Sequence, residues 1–197
     1  VEGGKFKLGK RTISDDHPFD QLRVDEIGIF SSNIGVTKLG LRAGPTQIHK
    51  TLLEFGFGAK TGVDFPGEIK GAVYKPEKWT SHFLANVCFG YGITVSAIQI
   101  AAAYGVVASG GDLLKPYFAS KMVAPDGNEK ILNSKVVLRK VLDERTVGIM
   151  NDILRKVVLF GTAKKALNDL CPVSGKTGTA LRINKVGRGY DSRRALA

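Results

Sequence analysis

Cysteine, histidine, methionine and tryptophan are all scarce in this 197-residue chain, at two, three, two and one. Cys88 and Cys171 stand alone and far apart, which excludes a paired-cysteine zinc or redox motif. Both read as small buried hydrophobes, and a single disulfide between them is compatible with an oxidising compartment. His17, His49 and His82 are scattered without ligand spacing, so neither a metal nor a cofactor is expected. Long apolar runs are missing too. The longest nearly apolar stretch, residues 93–108, is interrupted by Thr94, Ser96, Gln99 and Tyr104. It falls short of the roughly 20 apolar residues that a membrane span needs. The opening Val1-Glu2-Gly3-Gly4-Lys5 shows neither a secretory-signal pattern nor an initiator Met. No internal repeat is visible, and the 24 glycines have no period, which excludes a collagen-like chain.

Acidic residues are outnumbered, 18 against 29 Lys and Arg, for a net charge of +11. Part of the excess sits near the end, where Arg182, Lys185, Arg188, Arg193 and Arg194 oppose only Asp191. Such a tail can bind phosphate backbones or anionic membranes, but Tyr190 is its only aromatic and no zinc-finger or ribonucleoprotein motif accompanies it. A solvated face or substrate-side loop is the plainer reading, and no nucleic-acid partner is expected. With 43% hydrophobic and 24% charged residues, the composition is that of one globular domain.

Residues 2–16 read as short strand and turn, ended where His17 precedes Pro18. A short helix is expected over residues 22–30. Another carries Ile34, Val36, Leu39 and Leu41, and a third restarts at Gly44-Pro45 with Ile48, Leu52 and Phe55 on one face. The stretch 56–79, with its glycines, Pro66 and Pro76, reads as a long loop of the kind that rims active sites. Thr94 is the expected cap of a helix facing inward through Val95, Ile98, Ala102 and Val106. Residues 116–123 and 129–132 flank Pro125-Asp126-Gly127-Asn128, a turn between strands. The clearest helix is 144–160, capped by Asp143 and stopped by Gly161, with a core stripe of Val147, Met150, Ile153, Leu154, Val157 and Val158. Residues 173–183 read as a strand. Helices outnumber strands without alternating with them, which favours an α+β fold.

Gly175-Lys176-Thr177 invites a phosphate-loop reading, but that motif needs a glycine at position 170, which is Leu170, and a helix starting at the lysine. On a strand edge the same residues offer an ammonium for an anionic group and the hydroxyls of Thr177 and Thr179 for a carboxylate. Gly178 lets another backbone approach closely. Alone, the segment is equally an ordinary edge strand, and Ser31-Ser32-Asn33 alone is equally a helix cap. Together, in this order and more than a hundred residues apart, they match two parts of a known serine acyl-transfer constellation: Ser-x-x-Lys, Ser-Asp-Asn and Lys-Thr-Gly. Here Ser32 replaces the middle aspartate.

On these residues the chain closely resembles the transpeptidase domain of class B, monofunctional, penicillin-binding proteins. The likeness includes Thr12-Ile13-Ser14-Asp15-Asp16-His17-Pro18, Ser31-Ser32-Asn33-Ile34-Gly35 and Phe55-Gly56-Phe57-Gly58 with residues 61–68. It continues through Phe89-Gly90-Tyr91-Gly92-Ile93 and Gln99 to Lys115-Pro116-Tyr117 and residues 175–180. It implies a penicillin-recognising fold, an antiparallel sheet flanked by helices. The reaction implied is D,D-transpeptidation of peptidoglycan stem peptides through a serine acyl-enzyme, with β-lactams acylating the same serine. By the family's pattern Ser31 relays a proton to the leaving nitrogen, Asn33 bonds a substrate amide, and Lys176 sets the field at Ser31. Thr177 and Thr179 bind the carboxylate, and the Thr179 N–H belongs to the oxyanion hole.

One departure is large. None of the ten serines has a lysine three residues on, and in the family Ser-x-x-Lys precedes the Ser-x-Asn triplet. Residues 1–197 are therefore expected to be the central part of one domain, lacking the upstream nucleophile segment and the last strands and helix. Alone they are expected to be inactive. The resemblance also implies the outer face of the cytoplasmic membrane, an N-terminal anchor absent from this chain, and cell-wall synthesis proteins as partners. The alternatives are a non-catalytic penicillin-recognising sensor, a serine β-lactamase, and a basic nucleic-acid-binding domain, the last predicting steeply salt-dependent affinity. The Gly/Pro-rich residues 55–68 resemble transpeptidases more than β-lactamases.

Overall fold

The computed structural model describes residues 1–183 and 190–196, with side chains through residue 179. Lys185 and Arg188 of the basic stretch lie outside the described residues, as do the side chains of Arg182, Asp191, Arg193 and Arg194. Helices and antiparallel strand pairs make an α+β fold as expected, with the described strands joined in four two-stranded pairs. The chain divides into two compact units, one of residues 1–42, 80–92 and 151–197 and the other of residues 43–79 and 93–150.

In the first unit, β1 (Lys5–Leu8) and β2 (Arg11–Ser14) form a hairpin around Gly9-Lys10. Helices α1 (Val24–Ile29), α2 (Asn33–Ala43) and α4 (Ser81–Cys88) follow in this unit, α4 capped by the Thr80 hydroxyl accepting from Phe83 N–H at 3.2 Å. The helical period expected over 144–160 is observed as α6 (Glu144–Leu159), of which residues 151–159 belong to this unit, with Asp143 accepting from Thr146 N–H at 2.7 Å. Val157 and Val158 on its stripe are fully buried and form a cluster with Ala163, against which Val173 packs. Burial of each such valine contributes about 1.5–3 kcal/mol. Ile29, Ile34, Leu84 and Val87 are buried from the other helices. An antiparallel pair, β7 (Ala180–Ile183) with β8 (Tyr190–Leu196), is the last of the unit's described elements.

In the second unit, α3 (Pro45–Glu54) starts where expected, with Gly44 at its N-cap and Pro45 in the first turn. The long loop 56–79 is held by Gln99 of α5 (Ala97–Ala108). This side chain is 1% exposed, and its Nε2 donates to the carbonyls of Ala59 at 2.7 Å and Lys70 at 3.0 Å. Strand β3 (Asp112–Leu114) pairs with β6 (Val137–Lys140), and β4 (Lys121–Val123) with β5 (Glu129–Ile131).

Three expectations need correction. Thr94 does not cap α5, because its N–H and C=O are both bonded to Ala72 in an extended bridge. The cap falls on Ser96, in a reciprocal box with Gln99, and the buried face runs through Gln99, Val106 and Val107. Residues 173–179 are not strand. Pairing with β8 begins only at Ala180, and the Gly175 N–H donates instead to the Leu154 carbonyl of α6 at 3.2 Å. Finally, Cys171 is exposed and Cys88 only half-buried, and both are free thiols.

Candidate active site

Ser31 is where α1 ends. Its N–H donates to Gly28 C=O at 3.4 Å, and the next N–H, of Ser32, reaches back to Ile27 C=O at 3.1 Å. These two bonds make a helix stop whose pivot residue adopts the left-handed conformation, a place that usually falls to glycine. Ser31 occupies it with φ +56°, a conformation that costs an L-residue roughly 1–2 kcal/mol. Ser32 immediately begins α2: its hydroxyl accepts from Gly35 N–H at 2.9 Å, in the manner of an N-cap. The triplet is thus the junction between two helices, with Ser32 buried and Ser31 exposed.

The end of β2 grips this junction. Asp15 accepts from the Ser32 hydroxyl at 2.6 Å through Oδ2 and from Ile34 N–H at 3.0 Å through Oδ1. Asn33 Nδ2 donates to Ser14 C=O at 3.2 Å. Asp15 is itself anchored by its N–H on Gly4 C=O at 3.2 Å. A carboxylate at the start of α2 also meets the positive end of the helix dipole.

Helix α6 positions the opposing segment. Besides the Gly175 bond, Arg155 Nη1 donates to Val173 C=O at 2.8 Å. Lys176 then reaches the triplet: its Nζ donates to Ser31 Oγ at 2.7 Å, and also to its neighbour's carbonyl, Thr177 C=O, at 3.1 Å. Desolvation on half-burial lowers the Lys176 amine below the ordinary lysine value. The Thr177 hydroxyl shares a 2.7 Å hydrogen bond with that of Thr162.

The lysine amine on the serine hydroxyl joins Ser31-Ser32-Asn33 to Lys176-Thr177-Gly178 across the chain, two parts of the constellation named above. The family model described as the penicillin binding protein transpeptidase domain matches residues 3–196. The chain belongs to that family. PbpB of Mycolicibacterium smegmatis, a penicillin-binding protein, is 30% identical over 95% of this chain and 30% of its own length. PenA of Neisseria flavescens, named a probable peptidoglycan D,D-transpeptidase, is 31% identical over 95% of this chain and 44% of its own. The solved transpeptidase domain of Burkholderia pseudomallei penicillin-binding protein 3 superposes with a TM-score of 0.83 and 30% identity, covering 98% of this chain and 55% of that one. The chain thus spans less than half the length of these two curated relatives.

Of the residues expected at the site, the structure brings Ser31 and Lys176 into contact and places Asn33, two residues after Ser31, on the first turn of α2. Thr177 and Thr179 are exposed. Gly178 is not crowded: a Cβ there would meet nothing within 4 Å among the described residues. Asp15 and Thr162 carry no motif of their own. Asp15 sits inside a stretch quoted above only for its family likeness, and nothing in the sequence pairs Thr162 with Thr177.

Proposed function

We propose that these residues are the central part of a peptidoglycan D,D-transpeptidase domain that works through a serine acyl-enzyme and is acylated by β-lactams. The observation that carries this is the 2.7 Å bond between Lys176 Nζ and Ser31 Oγ, joining the two motifs of the constellation. In this reading the Lys176 ammonium sets a positive field at Ser31, and the Ser31 hydroxyl relays a proton to the departing nitrogen of D-alanine. Asn33 already commits its amide nitrogen to Ser14, so its Oδ1 is the end that receives a substrate N–H. The hydroxyls of Thr177 and Thr179 hold the terminal carboxylate, the Thr179 N–H stabilises the oxyanion, and the open space at Gly178 admits the peptide backbone. Because Ser-x-x-Lys is absent from residues 1–197, the attacking serine comes from a segment outside this sequence. The outer face of the cytoplasmic membrane, an anchor, and cell-wall synthesis partners belong to the same proposal. No helix among the described residues is long and apolar enough to cross a membrane.

The test compares the 197-residue chain with a longer polypeptide that also carries a Ser-x-x-Lys segment. Fluorescent penicillin should label only the longer one, and Lys176→Ala should abolish the labelling. If the longer polypeptide folds but stays unlabelled, the transpeptidase reading fails and the non-catalytic sensor takes its place. A labelled 197-residue chain would contradict the missing nucleophile.

A further inference from the structure

We propose that Asp15 is a positioning residue for the chemistry at Ser31, an inference that rests on the acyl-transfer reading. Its carboxylate locks the helix junction so that Ser31 Oγ stays on the Lys176 amine. Ser31 is the one triplet residue that touches Lys176, yet its direction is set by its neighbours. On one side the α1 stop fixes its N–H on Gly28. On the other side Ser32 is held by Asp15, 17 residues away in sequence, through a 2.6 Å bond from a nearly fully buried hydroxyl. A hydroxyl donating to a carboxylate makes a bond roughly twice as strong as a neutral one. Asp15 Oδ1 on Ile34 N–H and Ser14 C=O on Asn33 Nδ2 add two further ties, so residues 14 and 15 bond the side chains of both Ser32 and Asn33. The strained φ of Ser31 persists only while both flanks are held. Without Asp15 the Ser32 hydroxyl loses its acceptor, the junction relaxes, and Ser31 Oγ leaves Lys176.

A plain helix cap would stabilise α2 without affecting the reaction, so the test exchanges the pair. Asp15→Ser removes the carboxylate, and Ser32→Asp sets two carboxylates against each other. Asp15→Ser with Ser32→Asp restores one hydroxyl facing one carboxylate with the same combined reach, and the carboxylate now at position 32 still caps Gly35 N–H. In the longer polypeptide carrying Ser-x-x-Lys, each single variant should slow acylation by penicillin at saturation by about 10–100-fold, the scale of an ångström-sized misplacement. Half-saturating penicillin should change little, and the double variant should recover most of the rate. Unchanged rates in the single variants, or losses that follow the folded fraction and are not recovered by the exchange, would overturn the proposal. If the parent polypeptide itself is not acylated, it is the acyl-transfer reading that fails. The positioning is then read in the 197-residue chain by ¹³C NMR of the Lys176 ε-methylene. There Asp15→Ser should move its titration upward towards ordinary lysine as the amine is hydrated, and the exchange should reverse it. An unmoved titration would overturn the proposal.

Discussion

Replacing Ser31 by glycine and, separately, by alanine divides its backbone cost from its hydroxyl's role. Both variants lose Oγ and with it the bond from Lys176, so that loss drops out of their comparison. What remains is the left-handed backbone at φ +56°, which the two helix-stop bonds of Ser31 and Ser32 impose on whatever residue stands there. That conformation costs an L-residue roughly 1–2 kcal/mol and glycine almost nothing. Glycine's greater freedom in the unfolded chain takes back about 0.4–1 kcal/mol. The glycine variant should therefore be more stable than the alanine variant by about 1 kcal/mol, or about 2–4 °C in Tm for a chain of this size. Urea unfolding followed by far-UV circular dichroism measures the difference. Fluorescence would follow Trp79 instead, which belongs to the other unit. Equal midpoints, or a more stable alanine variant, would refute the argument that Ser31 is held against its own preference. In the longer polypeptide carrying Ser-x-x-Lys, acylation should fall in both, so the glycine variant is the sturdier of the two without being the more active, as expected where a site keeps a strained residue for its side chain.

Gln99→Met, of similar size, should cost about 2–4 kcal/mol from four lost bonds, three to carbonyls of the 56–79 loop (the one to Gly56 long, at 3.5 Å) and one from Ser96 N–H at 2.9 Å, and should speed exchange of the Ser96 amide. Gly40→Ala should destabilise by about 1–3 kcal/mol in thermal melts, because its Cβ would lie 2.1 Å from Cys88 Sγ, and adding Cys88→Ala should recover most of that. Thr37 is fully buried with no hydrogen-bond partner for its hydroxyl among the described residues, so Thr37→Val should raise stability by about 1 kcal/mol in urea. Desolvation pushes the Glu68 carboxyl up, but hydrogen bonds from the Thr61 hydroxyl, Thr61 N–H and Gly62 N–H outweigh it and hold Glu68 below the usual range. Its contribution is therefore present above the ordinary glutamate value and lost as pH falls through the lowered one, which amide exchange at Gly62 should report.

Local patterns were legible where one element decides its own geometry. Val147, Val157 and Val158 lie on a helical stripe, Asp143 caps it, and Gly44-Pro45 opens α3, all from short-range rules that the tertiary structure does not contest. Thr94 and residues 173–179 escape such rules because distant backbone decides them. Ala72 claims both polar groups of Thr94, and the Leu154 carbonyl takes the Gly175 N–H. The site was legible as chemistry, since Ser31 and Lys176 carry motifs. Its geometry was not. A serine at a left-handed helix stop breaks the glycine rule by which such stops are recognised, and Asp15 acts through a bond that spans 17 residues.

The bond from Lys176 to Ser31 spans 145 residues, whereas the grip of Asp15 on Ser32 spans 17. Closing the longer loop costs about 2 kcal/mol more in chain entropy. Sequence separation alone therefore makes the contact with the lysine the costlier of the two to close. A copy in which only the shorter loop has closed would hold Ser32 on Asp15 and leave Ser31 without its amine, so the separation of the two bonds divides the shaping of the serine from its charging.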